Sequence, residues 1–88
     1  MAVINLFYSS KYLKSFKKLP FATQKAAVKK LEIFQTNPYD PMLKTHKLSG
    51  ERQKYWSFSV SYSIRIMFEF IGEQTVGLVD IGPHSIYE

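Results

Sequence analysis

The chain has 88 residues and a mass of 10.3 kDa, is 45% hydrophobic and 16% aromatic, and carries a formal net charge of +5. A chain this short is one domain, 1–88, and an enzyme of two domains flanking a cleft is excluded. Seven Phe, six Tyr and one Trp argue against intrinsic disorder, while the absence of cysteine excludes a disulfide framework, a zinc–thiolate site and thiol catalysis.

Ala2 to Tyr8 is short and apolar apart from Asn5, with β-branched Val3 and Ile4 and aromatic Phe7 and Tyr8, so it is expected to be a strand. Ser9 and Ser10 offer an N-cap. From Lys11 to Leu19, Tyr12, Leu13, Phe16 and Leu19 recur at helical spacing and lysines fill the other face, which predicts a short amphipathic helix. Pro20 interrupts the pattern and is comfortable early in a new helix, expected from about Phe21 to Thr36. Ala27, Leu31 and Phe34, with Val28 beside them, form its core stripe, and Lys25, Lys29 and Lys30 face outward. Asn37-Pro38 stops it. Two helices with almost no linker read as an αα-hairpin.

Residues 37–54 show little periodicity and are expected to be loop, a length that marks a functional or disordered segment. Trp56, Phe58, Val60 and Tyr62 then alternate with Ser57, Ser59, Ser61 and Ser63, the pattern of a strand with one buried face. Near Ser61-Tyr62-Ser63 the chain is expected to turn, because Ile64, Ile66, Phe68 and Phe70 alternate anew with Arg65, Met67 and Glu69. Gly72-Glu73 suits a tight turn, and Thr75 to Ile81 is a third strand. The expected fold is α+β: a strand, a two-helix hairpin, then a three-stranded antiparallel meander, with the helices on one sheet face and the other face open.

No apolar run approaches the roughly 18–20 residues of a membrane span, and Met1 to Asn5 lacks the basic start of a secretory signal, so a cytoplasmic, soluble protein is expected. Charge is uneven. Residues 1–54 hold eleven of the twelve Lys and Arg against Glu32, Asp40 and Glu51, for +8; residues 55–88 hold only Arg65 against four acids, for −3. A basic half suits either a polyanionic partner or a solvated lysine-rich helix surface.

Arg65 falls on the strand face opposite Ile64, Ile66 and Phe68. It is either an exposed arginine paired with Glu69 or a guanidinium aimed at a phosphate. His84 and His46 can move protons near neutral pH or be plain exposed histidines, and their spacing is poor for a metal site. The serines of the alternating strand read as a solvated face, without the elbow that a serine nucleophile needs.

Three local motifs, in this order, resemble the RelE/ParE superfamily of type II toxins, and within it the RelE, YafQ and HigB-like mRNA interferases. They are His46-Lys47-Leu48-Ser49-Gly50; Tyr62-Ser63-Ile64-Arg65-Ile66-Met67-Phe68, similar to the family's Tyr-Arg-Ile-Ile-Tyr strand; and Gly82-Pro83-His84-Ser85-Ile86-Tyr87, similar to its Gly-x-His-x-x-x-Tyr ending with one residue fewer. The resemblance implies a RelE-like microbial ribonuclease fold and a toxin that cuts mRNA, usually on the ribosome, restrained by a cognate antitoxin. It implies attack by an RNA 2′-hydroxyl on the adjacent phosphate, with no metal or cofactor. Carried over by position, Arg65 stabilises phosphoryl charge, His84 is a general acid or base, and Tyr87 stacks on or orients a base or assists proton transfer. His46 matches an active-site histidine of the YafQ type, and Lys47, Arg52 and Lys54 hold RNA phosphates. RelE's second-strand lysines have no counterpart in Trp56 to Ser59. Two alternatives remain: a ParE-like inhibitor that binds DNA gyrase, and a non-catalytic nucleic-acid-binding domain.

Overall fold

The computed structural model describes residues 2–87; Met1 and Glu88, which close the expected domain 1–88 and enter the signal and charge readings, lie outside the described residues. The chain is α+β, with two helices and a five-stranded mixed sheet. In chain order the elements are β1 (Asn5–Tyr8), α1 (Ser10–Lys17), α2 (Phe21–Thr36), β2 (His46–Lys47), β3 (Trp56–Ser59), β4 (Arg65–Gly72) and β5 (Thr75–Gly82). Short 3₁₀ turns occupy Pro41–Leu43, Gly50–Arg52 and His84–Tyr87. The sheet order is β1-β5-β4-β3-β2, with β1 parallel to β5 and the other pairs antiparallel.

Both helices form where the apolar spacing places them. Ser9 caps α1: its Oγ accepts from Tyr12 N at 2.9 Å and donates to Val79 O at 2.7 Å, while its own N–H donates to Leu78 O at 3.0 Å. One residue therefore ends β1, starts α1 and grips β5 where its pairing with β4 slips past Val79. Asp80, buried, tightens the same junction by accepting from Ser15 Oγ at 2.7 Å and facing Lys11 Nζ at 3.6 Å. The side chain of Gln24 ties the hairpin together by donating to the carbonyls of Phe16 and Leu19.

Four expectations need correction. The first strand is shorter than Ala2–Tyr8, because Val3 N donates to Gln35 O at the end of α2 and so anchors the segment to the helix. The segment 37–54 is not all loop: His46 and Lys47 pair with Ser57 and Trp56, adding a strand too short to show a period. Val28 is half exposed rather than core, since the sheet reaches only the Ala27–Leu31–Phe34 side of α2. The β4–β5 turn sits at Glu73-Gln74, with Gln74 in the left-handed region (φ 54°) and Gly72 still in the strand.

The core lies between α2 and one sheet face. Phe34, fully buried, stacks on Phe58 with centroids 4.7 Å apart and meets Phe68 edge-on at 4.8 Å. Burying such a ring contributes about 2–3 kcal/mol. By register, Trp56, Phe58, Ile66, Phe68, Leu78 and Ile81 share this face. Ser57, Ser59, Arg65, Met67 and Glu69 take the other.

Tyr12 is the exception in polarity. Its ring packs near Tyr8 and Phe16, but its buried hydroxyl has no hydrogen-bond partner among the described residues. Burial first, and Tyr8 second, push its pKa well above the ordinary tyrosine range, so it stays protonated. An unmade buried hydrogen bond costs about 1–3 kcal/mol. Tyr12→Phe is therefore expected to raise stability by about 1 kcal/mol in urea unfolding; a loss of that size would show that the hydroxyl is satisfied.

Candidate active site

The face opposite the helices is covered at one end by the chain's own final turn. Beyond β5, Gly82-Pro83 leads into the 3₁₀ turn His84–Tyr87, closed by Ile86 N donating to Pro83 O at 3.0 Å. This turn is pinned in two places. The Tyr87 hydroxyl makes a short hydrogen bond with Ser57 Oγ, and Arg52 Nε donates to the Tyr87 carbonyl at 2.8 Å. Gly82 makes the approach possible: a Cβ there would lie 2.8 Å from Ile86 Cγ2, closer than van der Waals contact allows.

Arg65 opens β4 and pairs with Ser59 on one side and Gly82 on the other, which sets it beside the start of the final turn. Its Nη1 donates to Ser61 O at 2.6 Å and also lies 3.4 Å from Ile64 O. The guanidinium is thus held against the β3–β4 turn by one nitrogen. Its Nε–Nη2 edge, the pair of donors that matches two phosphate oxygens, makes no hydrogen bond among the described residues. Arg65 and His84, with Tyr62 and Ser63, line one cavity of about 380 Å³. The His84 and Tyr87 rings lie 5.5 Å apart, so Tyr87 links the Arg65 cavity to Ser57.

His46 joins this face through β2, opposite Ser57 in the ladder. It is exposed, and its Nδ1 lies 3.0 Å from Lys44 O. A carbonyl only accepts, so Nδ1 carries a proton and the neutral ring keeps Nε2 as a proton acceptor. Arg65, His84, Tyr87 and His46 therefore occupy one side of the sheet. The three expected phosphate ligands divide. Lys54, two-thirds exposed, reaches this face and sits 4.0 Å from Oε2 of the half-buried Glu69. Arg52 donates its Nε–H to the main chain of Tyr87 and so is tied to the final turn. Lys47 shares the ladder position of Trp56 and Phe68, on the helix side of the sheet.

Two expectations about the site change. Arg65 is not paired with Glu69, whose carboxylate faces Lys54 instead. Ser57 does not belong to a solvated strand face: it is fully buried, because Tyr87 folds over it. Its alternation with Trp56 and Phe58 assigns its face correctly, but only the distant C-terminal turn covers that face. Gly82→Ala is expected to push Ile86 aside and loosen the turn. Hydrogen exchange at the Ile86 amide should accelerate at least tenfold; unchanged exchange would mean that Gly82 does not hold the approach.

No family model and no curated protein matches the chain. Among solved structures it is similar to a YoeB/ParE toxin from Agrobacterium tumefaciens (TM-score 0.78, 13% identity, 92% of this chain and 99% of that one). It is also similar to the toxin–antitoxin complex RelBE2 from Mycobacterium tuberculosis (TM-score 0.78, 15% identity, 96% and 100%). A third similar structure is YafQ from E. coli (TM-score 0.71, 17% identity, 94% and 96%). These likenesses span whole chains at low identity, so what they establish is architecture. The chain has the fold of the RelE/ParE superfamily toxins.

Proposed function

We propose that the protein is the toxin of a type II toxin–antitoxin system and acts as a metal-independent mRNA endoribonuclease, engaging its substrate on the ribosome. The observation that carries this reading is the placement of the Arg65 guanidinium, with its bidentate edge unengaged, in one cavity with His84. RNA brings its own nucleophile. The 2′-hydroxyl attacks the neighbouring phosphorus, the bond to the 5′ oxygen breaks, and a 2′,3′-cyclic phosphate and a free 5′-hydroxyl result. The protein must stabilise charge on the phosphoryl oxygens, take one proton and return another.

Arg65 meets the first need through Nε and Nη2. His84, exposed at the cavity, transfers a proton; His46, with Nε2 as acceptor, is suited to the complementary transfer. Tyr87 holds the site together through Ser57 and offers its ring to a base. His84→Ala is expected to reduce mRNA cleavage in a translating extract by roughly 10²–10⁴-fold and Arg65→Ala by roughly 10²–10³-fold, read by primer extension with and without ribosomes. Intact mRNA together with inhibited DNA supercoiling would replace this reading by gyrase binding.

An antitoxin partner has support from the RelBE2 likeness, a complex of toxin with antitoxin. On this chain the hairpin offers a groove of about 330 Å³ lined by Phe16, Phe21 and Val28 with Lys25, Lys29 and Glu32. Phe21 is 74% exposed, a large ring left in water. An amphipathic antitoxin segment with an acidic face fits this surface. Charge reversal at Lys25 and Lys29 together should weaken the complex at least tenfold at low salt, measured by calorimetry; unchanged affinity would move the antitoxin elsewhere.

A further inference from the structure

A second cavity adjoins the one that holds Arg65 and His84. It measures about 320 Å³ and is lined by Lys30 of α2, Met42 and Lys44 around the first 3₁₀ turn, and the β3–β4 connection from Ser59 to Tyr62, ending at Arg65. Tyr62 and Arg65 border both cavities, so the two form one groove that bends around Arg65. Its charged lining is entirely basic: Lys30, Lys44 and Arg65, with no carboxylate. Neither lysine is in an ion pair among the described residues.

Two details indicate what such a groove takes. Tyr62 is 97% exposed at the bend, and its ring makes no aromatic contact within the described residues. A bare phenol ring costs solvation and packs on nothing in the free protein, but it is a stacking platform for a nucleobase. Lys44 sits in the left-handed region, φ 54° and ψ 40°, a conformation unfavourable for a side chain that is not glycine or asparagine. Its carbonyl lies 3.0 Å from His46 Nδ1, so the residue that lines the groove also contacts His46. Spaced cations with no carboxylate in the lining, beside an exposed aromatic ring, suit a single nucleic-acid strand better than the hairpin groove does, whose lining includes Glu32.

We infer that the strand flanking the cleaved phosphate runs from the Arg65 cavity over the β3–β4 turn, with one base on Tyr62 and its phosphates at Lys30 and Lys44. The inference rests on the reading of the chain as an RNA-cleaving protein and assigns roles to Lys30 and Lys44, which lie outside the motifs, and to Tyr62, which the mechanism does not use. It makes Tyr62 a determinant of base preference beside the cut and extends the phosphate contacts beyond Lys54.

The test is fluorescence anisotropy with a labelled twelve-nucleotide single-stranded RNA, 2′-O-methylated throughout so that it cannot be cut. Lys30→Ala with Lys44→Gly is expected to bind about tenfold more weakly, and the slope of log affinity against log salt should fall by about 1.4, near 0.7 for each phosphate that a lysine no longer neutralises. Glycine at position 44 accepts the left-handed backbone, so this variant removes charge without adding strain. Tyr62→Ala is expected to weaken binding about tenfold with the slope unchanged. Lys14→Ala with Lys17→Ala, on the exposed side of α1, removes the same charge and should keep most of the affinity. The proposal is overturned if the Lys30/Lys44 variant binds as the wild type does, if the α1 pair loses as much, or if only binding to an acidic polypeptide such as polyglutamate is affected. Because the probe cannot react, groove binding that survives alongside an absence of mRNA cleavage would sink the nuclease reading alone.

Discussion

The position of Phe34 between Phe58 and Phe68 is the contact on which the candidate site depends. It presses α2 onto β3 and β4 and so decides which side of those strands is sealed. A strand has a period of two, so burying Phe58 and Phe68 forces Ser57, Arg65, Met67 and Glu69 to the other face. A slip of one residue in β4 would carry Arg65 into the apolar layer, at the cost of burying a guanidinium without a partner. The register is therefore protected by the core, and the functional face inherits its order from the packing behind it.

The other side of the sheet is organised by a small number of polar contacts. Tyr87 reaches Ser57 and receives Arg52 on its carbonyl, while Gly82 lets Ile86 come close. Together these fold the last residues of the chain back over β3, β4 and β5 and bring His84 to the cavity of Arg65. A domain of this size has little surface to spare for a deep cleft. The final turn makes an open cavity on a sheet face instead.

Charge follows the same division. The basic excess of residues 1–54 lies largely on the helices and on the turns beside β2, where Lys25 and Lys29 line one groove and Lys30 and Lys44 line another. The two grooves differ in the rest of their lining: Phe16, Phe21, Val28 and Glu32 in one, Ser59, Ser61, Tyr62 and Met42 in the other. On the function proposed above, that difference separates a surface for an amphipathic protein segment from one for RNA. The acidic excess of residues 55–88 leaves Arg65 as the only basic residue in its half, and its immediate anchors are carbonyls rather than carboxylates. Among the described residues its charge is consequently not neutralised by a direct ion pair.

Much of this protein is determined locally. The 3.6 spacing of Ala27, Leu31 and Phe34, the serine cap before Lys11, the Asn37-Pro38 stop and the alternation around Phe58 and Phe68 set the helices, the meander and the face of Arg65, because each depends on neighbours within a few residues. The motifs around Arg65 and His84 are legible for the same reason. What lies beyond the sequence is the set of contacts between distant segments. Position alone does not show that Ser57 is buried, since Tyr87 covers it from 30 residues away. Nor does it show that β1 pairs in parallel with β5, that Glu69 faces Lys54 rather than Arg65, or that Lys47 turns to the helix side while His46 does not. Local preference specifies which face a side chain takes; only the packed tertiary structure decides what else arrives there.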